Sequence, residues 1–473
     1  MEVVISRMQT SVVPKASPET LPELATYLTP FAPLFRRSTS RESVERYLTG
    51  LLTDLPRKNC DTIAAAVAGT STERLQHLLT DATWEPPALD QQRGTALVAQ
   101  SPTQGLLVLP VDGLPKQGRG SAGVARQYSG TLDKVANCQI VVTAHYVADE
   151  PTSHAPVHWP LTARLYLPEA WATDGVRRAK VHVPPEVPFQ TKPELALALI
   201  DQARAWGVPF AWVVADAGYG DNPTFLPGLE ARQIAYMVGV SRSFGGRLPA
   251  HVHAAALVPR PRPRGRGQPK KPRPAPLYTA QAVLEVLSEG RWQTITWREH
   301  DAGGLCKQFV AVRVHWATGG PQFSTSHHRV CTGPEGWLLG ERPVPGASRD
   351  RKWYFSTLPA DTPLRRLVEL AHSRWPIEQF YEDAKGECGL DHYQGRRWDG
   401  LHRHLALVML AYSFLARQRW RPAISAGFSP LRRAAVVPGR PSAGAAVALP
   451  RCRVMAHRVE PDRPFPPQAD LTK

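Results

Sequence analysis

The chain contains 473 residues, 42% of them hydrophobic, so it can bury a large core and form two or three domains. Its 57 lysines and arginines outnumber the 41 acidic residues. The resulting net charge of +16 favours a polyanionic partner, nucleic acid before an acidic membrane. The sequence predicts no membrane-spanning helix and no signal peptide. The six dispersed cysteines argue against a zinc site or a disulfide framework and for a reducing cytoplasm.

Residues 19–100 are predicted to form a small helical domain, because apolar residues recur there at helical spacing. Ser40 is predicted to cap the second helix, and two short helices, 62–68 and 72–79, are predicted to meet through Gly69. Helices joined by a glycine-containing turn are compatible with a helix-turn-helix, although such packing is as common without DNA contact. DNA binding is favoured by the charges of Arg36, Arg37, Arg57 and Lys58.

Residues 101–240 alternate between strand-like and helix-like segments. Three predicted strands are followed by helix, strand, helix and strand, an order typical of a ribonuclease H-like mixed sheet. Two of the strands are continuous apolar runs, and each is followed by an aspartate, Asp112 or Asp216. Because ligands of open α/β sheets gather at strand carboxyl ends, both aspartates are candidate site residues. The predicted strands are 106–111, 139–146, 162–167, 210–215 and 235–240, and the predicted helices are 194–206 and 223–232.

Residues 241–360 interrupt this pattern and are predicted to form a β-rich insertion. The insertion contains a stretch rich in proline and glycine that has no acidic residue, which predicts an extended loop. This basic loop is predicted to contact phosphates without regard to sequence, and the alternative is a solvated linker. Its cations are Arg260, Arg262, Arg264, Arg266, Lys270, Lys271 and Arg273. The strands predicted for the insertion are 282–287, 292–297, 309–316 and 353–358.

A single helix is then predicted over 363–385, with a charged ridge beside an apolar stripe. At about 100° per residue, Arg374, Glu378 and Lys385 lie within roughly 40° of one another. One ridge would therefore carry a carboxylate flanked by two cations. Considered alone, this helix could equally be a surface helix with solvated charges.

Asp112, Asp216 and Glu378 together provide what a two-metal phosphodiester site requires. Carboxylates bind hard cations, so the predicted cofactor is a pair of Mg²⁺ ions, for which Mn²⁺ can substitute. The ions would activate a water or hydroxyl and stabilise the leaving oxygen. The cations predicted to contact phosphate are Arg374, Lys385 and Lys116, the last with a merely solvated lysine as the alternative.

The last part of the chain carries two further predictions. His402 and His404 are predicted to be helix-surface residues near DNA, on different faces of the helix. Residues 418–473 are rich in proline and have few periodic apolar positions, which predicts a disordered tail.

The helix that carries Glu378 reads Arg374-x3-Glu378-x6-Lys385 and is followed by Gly-Leu-Asp-His at 389–392. This block resembles the Tyr-Arg-Glu-Lys signature of bacterial insertion-sequence transposases, which belong to the DDE superfamily. Two other blocks, 111–130 and 214–220, resemble the same family, so that the resemblance covers roughly residues 30–417. One position departs from the signature, since Ala371 stands where the family has its tyrosine.

The resemblance implies an α/β fold in which 101–240 and 361–417 form a ribonuclease H-like catalytic domain with a mixed sheet. The β-rich insertion interrupts this domain, and the helical domain precedes it. The resemblance also implies that Trp353, which follows Lys352, stacks on a DNA base as in hairpin-forming relatives.

The implied function is DNA transposition by cut-and-paste. The protein would cleave double-stranded DNA at terminal inverted repeats and join the ends to target DNA. It would act as a homodimer on DNA in the bacterial cytoplasm, in association with the nucleoid. The alternatives are a DNA-binding regulator or inactive remnant without catalysis, and a nuclease of the same fold that never joins strands.

Overall fold

The computed structural model describes residues 21–101, 105–130, 134–150, 156–252, 275–298, 305–317, 332–344 and 350–420. These residues form two compact units. The first unit lies within Met1–Asp149, Val157–Ala211 and Trp375–Pro422, and the second lies within Glu150–Pro156, Trp212–Arg374 and Ala423–Lys473. The predicted basic loop and residues 421–473 of the predicted tail lie outside the described residues, so both remain predictions.

The secondary structure is mixed α and β throughout. The helices are α1 (Pro22–Leu28), α2 (Ser38–Leu52), α3 (Cys60–Ala66), α4 (Thr72–Thr80), α5 (Pro86–Val98), α6 (Glu169–Ala172), α7 (Gly175–Lys180), α8 (Lys192–Ala205), α9 (Ala217–Gly220), α10 (Phe225–Ala231), α11 (Leu364–His372), α12 (Trp375–Gly386) and α13 (Trp398–Trp420). A 3-10 helix, Thr29–Leu34, follows α1, and a π-helix spans Ala282–Val286. The strands are β1 (Gly105–Leu109), β2 (Val111–Pro115), β3 (Ala125–Ser129), β4 (Lys134–Ala148), β5 (His158–Leu165), β6 (Trp212–Ala215), β7 (Ala235–Val240), β8 (Gly245–Arg247), β9 (Tyr278–Thr279), β10 (Gln293–Arg298), β11 (Leu305–Ala317), β12 (Thr332–Arg342) and β13 (Lys352–Ser356).

The N-terminal helices of the first unit pack around the long helix α13. Helices α2, α4 and α5 contact α13 directly, and the apolar residues of the region form one core with it. The Tyr27 hydroxyl donates to the Leu410 carbonyl at 3.2 Å. Residues 21–100 are helical as predicted, and they belong to the same compact unit as α13.

The ends of the N-terminal helices agree only in part with those predicted from the sequence. The predicted cap at Ser40 is wrong, because α2 begins at Ser38, with Arg37 as its N-cap and no side-chain capping bond. Asn59 caps α3 in a capping box, and Ser71 caps α4. Gly69 lies between them with φ of +77°, a left-handed conformation that favours glycine. The helix–turn–helix connection predicted through Gly69 is therefore present.

The sheet of the first unit is built around β4, which pairs antiparallel with β1, β2, β3 and β5. The strand predicted over 106–111 is two strands, because Pro110 has no N–H for the ladder. The carbonyl of Pro110 accepts from the N–H of Thr143 at 3.1 Å. Asp112 consequently lies inside β2, opposite Val141, and not directly after a strand as predicted.

The second unit contains a mixed sheet. Its strand order is β6-β7-β13-β12-β11-β8-β9, with β10 paired to β11. Strands β6 and β7 are parallel, and the other pairs are antiparallel. The strand predicted over 282–287 is wrong, since this run forms the π-helix and buries Val283 and Leu284. A short apolar run does not distinguish a strand from a buried helix.

The helix predicted over 363–385 is two helices, α11 and α12, which fall in different units. Pro376 cannot continue α11, because it lacks the N–H that would bond to His372 and its ring would clash there. The chain therefore ends one helix and starts another with Pro376 in its first turn. Arg374 precedes α12 as a result and does not share a helical ridge with Glu378, contrary to the prediction.

No helix within the described ranges is long and apolar enough to cross a membrane. In the same ranges, the cysteines form no disulfide; they are Cys60, Cys138, Cys306 and Cys388.

Candidate active site

Helix α12 carries Glu378 and is held to the sheet of the first unit by two polar side chains. Lys385 Nζ lies 2.9 Å from Asp112 Oδ1 in β2. One turn earlier, the hydroxyl of Tyr381 lies 2.7 Å from Thr143 Oγ1 in β4. Because β2 and β4 are neighbouring strands, these contacts define the face of α12 that is turned toward them.

Glu378 lies on this same face of α12. Residues three, four and seven positions apart share one face of a helix, and Glu378 precedes Tyr381 by three residues and Lys385 by seven. Glu378 is exposed in the first turn of the helix, where the helix dipole favours a carboxylate. It lies about 10 Å from Lys385 along the helix axis. The buried stripe beside this face consists of Ile377, Phe380 and Ala384.

Asp112 is the buried member of the ion pair. It is 4% exposed, and Lys385 supplies the positive charge that a buried carboxylate requires. The ring of Tyr381 lies beside this pair, with its centroid 5.6 Å from Lys385 Nζ. Sequence reasoning assigned Lys385 to phosphate and did not foresee the ion pair. Since the lysine side chain is 19% exposed, its contact with phosphate stays a prediction.

Asp216, in the second unit, directly follows β6 as predicted and is the N-cap of α9. Its Oδ1 accepts from the N–H of Gly218 at 3.0 Å. Close backbone packing explains the last glycine of the motif Asp-Ala-Gly-Tyr-Gly, because a Cβ on Gly220 would collide with the carbonyl oxygen of Gly239. Asp216 therefore lies at the carboxyl end of the parallel pair β6–β7, the edge where open α/β sheets place ligands.

The other predicted DNA contacts have different surroundings. Arg374 lies between α11 and α12, and Trp353 is half-buried in β13, between β7 and β12. The Lys116 ammonium donates to the Tyr393 carbonyl, and burial lowers the pKa of this lysine to about 8. Lys116 is therefore not the merely solvated lysine considered above, and its contact with phosphate stays a prediction. The remaining predicted contacts lie outside the described residues; they are Arg260, Arg262, Arg264, Arg266, Lys270, Lys271 and Arg273.

Sequence reasoning did not identify Tyr381 and Thr143 as residues that hold α12. Tyr381 lies three residues after Glu378, and this helical spacing could have pointed to it. Thr143 lies in an apolar strand and carries no local signal. Its hydroxyl is also 2.8 Å from Nε2 of His145, whose Nδ1 lies 3.1 Å from Nε2 of His158.

The prediction that His402 and His404 lie on a helix surface is wrong. His404 is fully buried, with Nδ1 2.8 Å from the Tyr47 hydroxyl and Nε2 3.1 Å from the Gly389 carbonyl. His402 is half-buried, and its Nε2 accepts from the N–H of Leu165 at 3.3 Å. Helix α13 is covered by both the N-terminal helices and β5, which the local sequence does not reveal.

The buried histidines should make the stability of the first unit depend on pH. Burial lowers the pKa of His158 and His404 to about 3, that of His402 to about 4, and that of His145 well below its ordinary 6.5. Because these folded-state pKa values are depressed, each histidine contributes stability that is present above the unfolded pKa of about 6.5 and is lost as pH falls toward the folded pKa. We expect urea titrations to show an unfolding free energy about 4 kcal/mol smaller at pH 5.5 than at pH 6.5, about 1 kcal/mol for each of the four histidines.

The slope of the unfolding free energy against pH separates the effect of histidine protonation from an ordinary loss of packing. His404→Gln should remove about a quarter of the slope, whatever it does to stability at pH 7.5. The matched control is His182→Gln, which replaces an exposed histidine of the same unit. An unfolding free energy that is constant between pH 6.5 and 5.5 would contradict the prediction.

The three candidate acids are distributed between the units, with Asp112 and Glu378 in the first and Asp216 in the second. Their carboxylate oxygens are donors that hard cations prefer. Across the described part of the chain, no group of three or more His, Cys, Asp or Glu side chains is placed to hold a metal ion. Metal binding by these acids remains a prediction.

Two comparisons with known proteins identify sequences that are similar to this chain. Residues 30–304, more than half of the chain, match the model of a family described as DDE superfamily endonuclease. The matched span includes Asp112 and Asp216 and ends before Glu378. A probable transposase for the insertion sequence element IS701 from Microchaete diplosiphon is 28% identical over 232 residues, which cover 48% of this chain and 56% of that protein. The chain thus spans little more than half the length of this relative.

Proposed function

This chain belongs to the DDE superfamily endonucleases, and from that premise we propose that it is a DNA transposase. It cleaves double-stranded DNA at the terminal inverted repeats of a mobile element and joins the 3′ ends to target DNA by a cut-and-paste route. It acts as a homodimer on DNA, in the cytoplasm at the nucleoid. The similarity to a probable transposase supports transposition, and the excess of 57 basic over 41 acidic residues supports a DNA partner.

The observation that carries the proposal is the way α12 is tied to the sheet. Through Lys385 and Tyr381, the helix face that bears Glu378 is turned toward the strand pair that bears Asp112. The helical spacing of Glu378 from Tyr381 and Lys385 thus supports a site that Glu378 shares with Asp112. A protein that only binds DNA has no need of this relationship between two carboxylates.

The residues present suit hard divalent cations. Asp112 is a buried carboxylate that already requires a cation, and Lys385 meets that requirement in this structure. Asp112 and Glu378 would hold Mg²⁺ or Mn²⁺, two ions in all, and Asp216 is included as the third ligand on the strength of its motif and its place after β6. When bound, such ions activate a water or hydroxyl and stabilise the leaving oxygen.

The cationic and aromatic side chains have separate tasks in the proposal. Phosphoryl transfer depends mainly on positioning and on charge neutralisation, so Arg374 and Lys385 steady phosphate oxygens near the acids. Trp353 supplies a stacking surface for a displaced base. The basic loop adds affinity that does not depend on sequence.

The proposal is tested with the full chain and a supercoiled plasmid that carries the DNA flanking its own reading frame. In Mg²⁺ or Mn²⁺ we expect cuts at both flanks and insertion of the released ends into a second plasmid, with junctions read by sequencing. In EDTA the protein should bind the flanks without cutting them. A plasmid with scrambled flanks is the control. Cleavage without joined products would indicate a nuclease, and binding without cleavage would indicate a regulator or remnant; either result would overturn the proposal.

A further inference from the structure

Tyr381 occupies the centre of the α12 face that carries the two charged residues. It follows Glu378 by three residues and precedes Lys385 by four, so all three lie on one face of the helix. Its ring lies beside the Lys385 ammonium, at 5.6 Å, while its hydroxyl reaches the sheet and lies 2.7 Å from Thr143 Oγ1. One side chain thus contacts both the lysine that pairs with Asp112 and the strand next to Asp112.

The hydroxyl that receives Tyr381 is itself held in place. Thr143 is buried in β4, and its N–H donates to the carbonyl of Pro110, which immediately precedes β2. The Thr143 hydroxyl is 2.8 Å from His145 Nε2, and the ring of His145 is stacked on that of His158 with a hydrogen-bond distance of 3.1 Å between Nδ1 and Nε2. Burial lowers the pKa of both histidines and so keeps both rings neutral. A single proton therefore lies between the Thr143 hydroxyl and His145 Nε2, and another lies between the two histidine rings. Tyr381 is therefore joined to a buried chain of polar groups.

The apolar contacts of α12 alone would leave its rotation less well defined. Phe380 packs edge-on against His145 at 4.7 Å and against Tyr412 at 4.8 Å, and such apolar burial is not directional. A hydrogen bond fixes a direction. Since helix side chains extend about 5–6 Å from the axis, a rotation of about 10° would displace the Glu378 carboxylate by about 1 Å. Displacements of this size at a reacting site cost on the order of a hundredfold in rate.

We propose that Tyr381 is a positioning residue, whose hydrogen bond to Thr143 sets the rotation of α12 and so presents Glu378 and Lys385 toward Asp112. This inference rests on the proposed function, because it assigns Tyr381 to the same pair of acids. The hydroxyl of Tyr381 does not touch DNA or metal in this role. Its effect is carried by the orientation of the helix.

The test compares two tyrosine hydroxyls of the same aromatic cluster. Tyr381→Phe should lower the single-turnover cleavage rate of bound element ends by about tenfold to a hundredfold. It should also weaken Mn²⁺ binding several-fold in calorimetric titrations without DNA. Tyr412→Phe is the matched control, because the Tyr412 hydroxyl lies 3.4 Å from His158 Nδ1, at the other end of the chain of polar groups. Tyr412→Phe should keep the wild-type cleavage rate and the wild-type Mn²⁺ affinity. The midpoints of thermal unfolding of the two variants should stay within about 3 °C of one another.

Substitutions at Thr143 test whether a hydroxyl at this position is enough for activity and whether Thr143 and Tyr381 act together. Thr143→Ser keeps the hydroxyl and should behave as wild type, whereas Thr143→Val should reproduce Tyr381→Phe. The double variant should be no slower than Thr143→Val alone, since the hydrogen bond between Tyr381 and Thr143 is already absent from that single variant. Wild-type cleavage and Mn²⁺ affinity in Tyr381→Phe, or an equal loss in Tyr412→Phe, would overturn the inference and leave the proposed function standing. A wild-type protein that neither cleaves nor binds Mn²⁺ would overturn both.

Discussion

Replacement of Glu378 by glutamine is expected to abolish cleavage of element ends while DNA binding is retained. The amide preserves the size of the side chain and removes the negative charge that would hold a hard cation. We expect a loss of single-turnover rate on the order of a thousandfold or more. Because Glu378 is exposed in the first turn of α12, the unfolding free energy should change by less than about 1 kcal/mol. Cleavage is measured on labelled DNA ends, and binding is measured by fluorescence anisotropy.

The matched control lies on the same helix. Asp383 follows Glu378 by five residues and therefore points about 140° away from it around the axis. Asp383→Asn should cleave at close to the wild-type rate. Asp112→Asn should be as inactive as Glu378→Gln, and it should also be less stable, because it leaves Lys385 without its carboxylate. A Glu378→Gln variant that cleaves normally would remove Glu378 from the site and place the proposed function in question.

The places of Glu378 on a helix and of Asp216 after a strand could be predicted from sequence, because the signals that mark these places are local. The 3.6-residue period of a helix puts Glu378 and Lys385 on one face whatever the rest of the chain does. Asp216 ends a short apolar run and opens a glycine-containing turn, which predicts the end of a strand. Asp112 was located as an acid near a strand, but its place inside β2 depends on Pro110 dividing the run into two strands.

The contacts that assemble the candidate site could not be predicted, because they join residues far apart in sequence. Lys385 and Asp112 are separated by 273 positions, and Tyr381 and Thr143 by 238. The spacing of residues within a short segment of sequence gives no information about contacts between such distant residues. The break between α11 and α12 was within reach of sequence reasoning, since Pro376 stands in the middle of the predicted helix.

The largest effect on stability is expected from Arg93, which joins three elements of the first unit. Arg93 is fully buried in α5, and its Nη2 donates to Asp90 Oδ1 at 2.9 Å and to the Leu161 carbonyl at 2.8 Å. Its Nη1 donates to the Pro160 carbonyl in β5 and, at 3.3 Å, to Ser413 Oγ in α13. Arg93→Met should lower the unfolding free energy by about 3–5 kcal/mol, because it leaves a buried carboxylate and two carbonyls without their donor. Urea titration at pH 7.5 measures this loss.

A double-mutant cycle separates loss of the charge pair from loss of side-chain volume. In Arg93→Met the Asp90 carboxylate retains a hydrogen bond from Thr162 Oγ1 at 2.8 Å but loses its counter-charge. Adding Asp90→Asn removes the buried charge, so the double variant should be more stable than Arg93→Met alone by about 1–3 kcal/mol. Arg126→Met is the control, since Arg126 is exposed in β3 and its replacement should change stability by no more than about 0.5 kcal/mol. An Arg93→Met protein within about 1 kcal/mol of wild type would show that the network adds little to stability and that packing alone joins α5, β5 and α13.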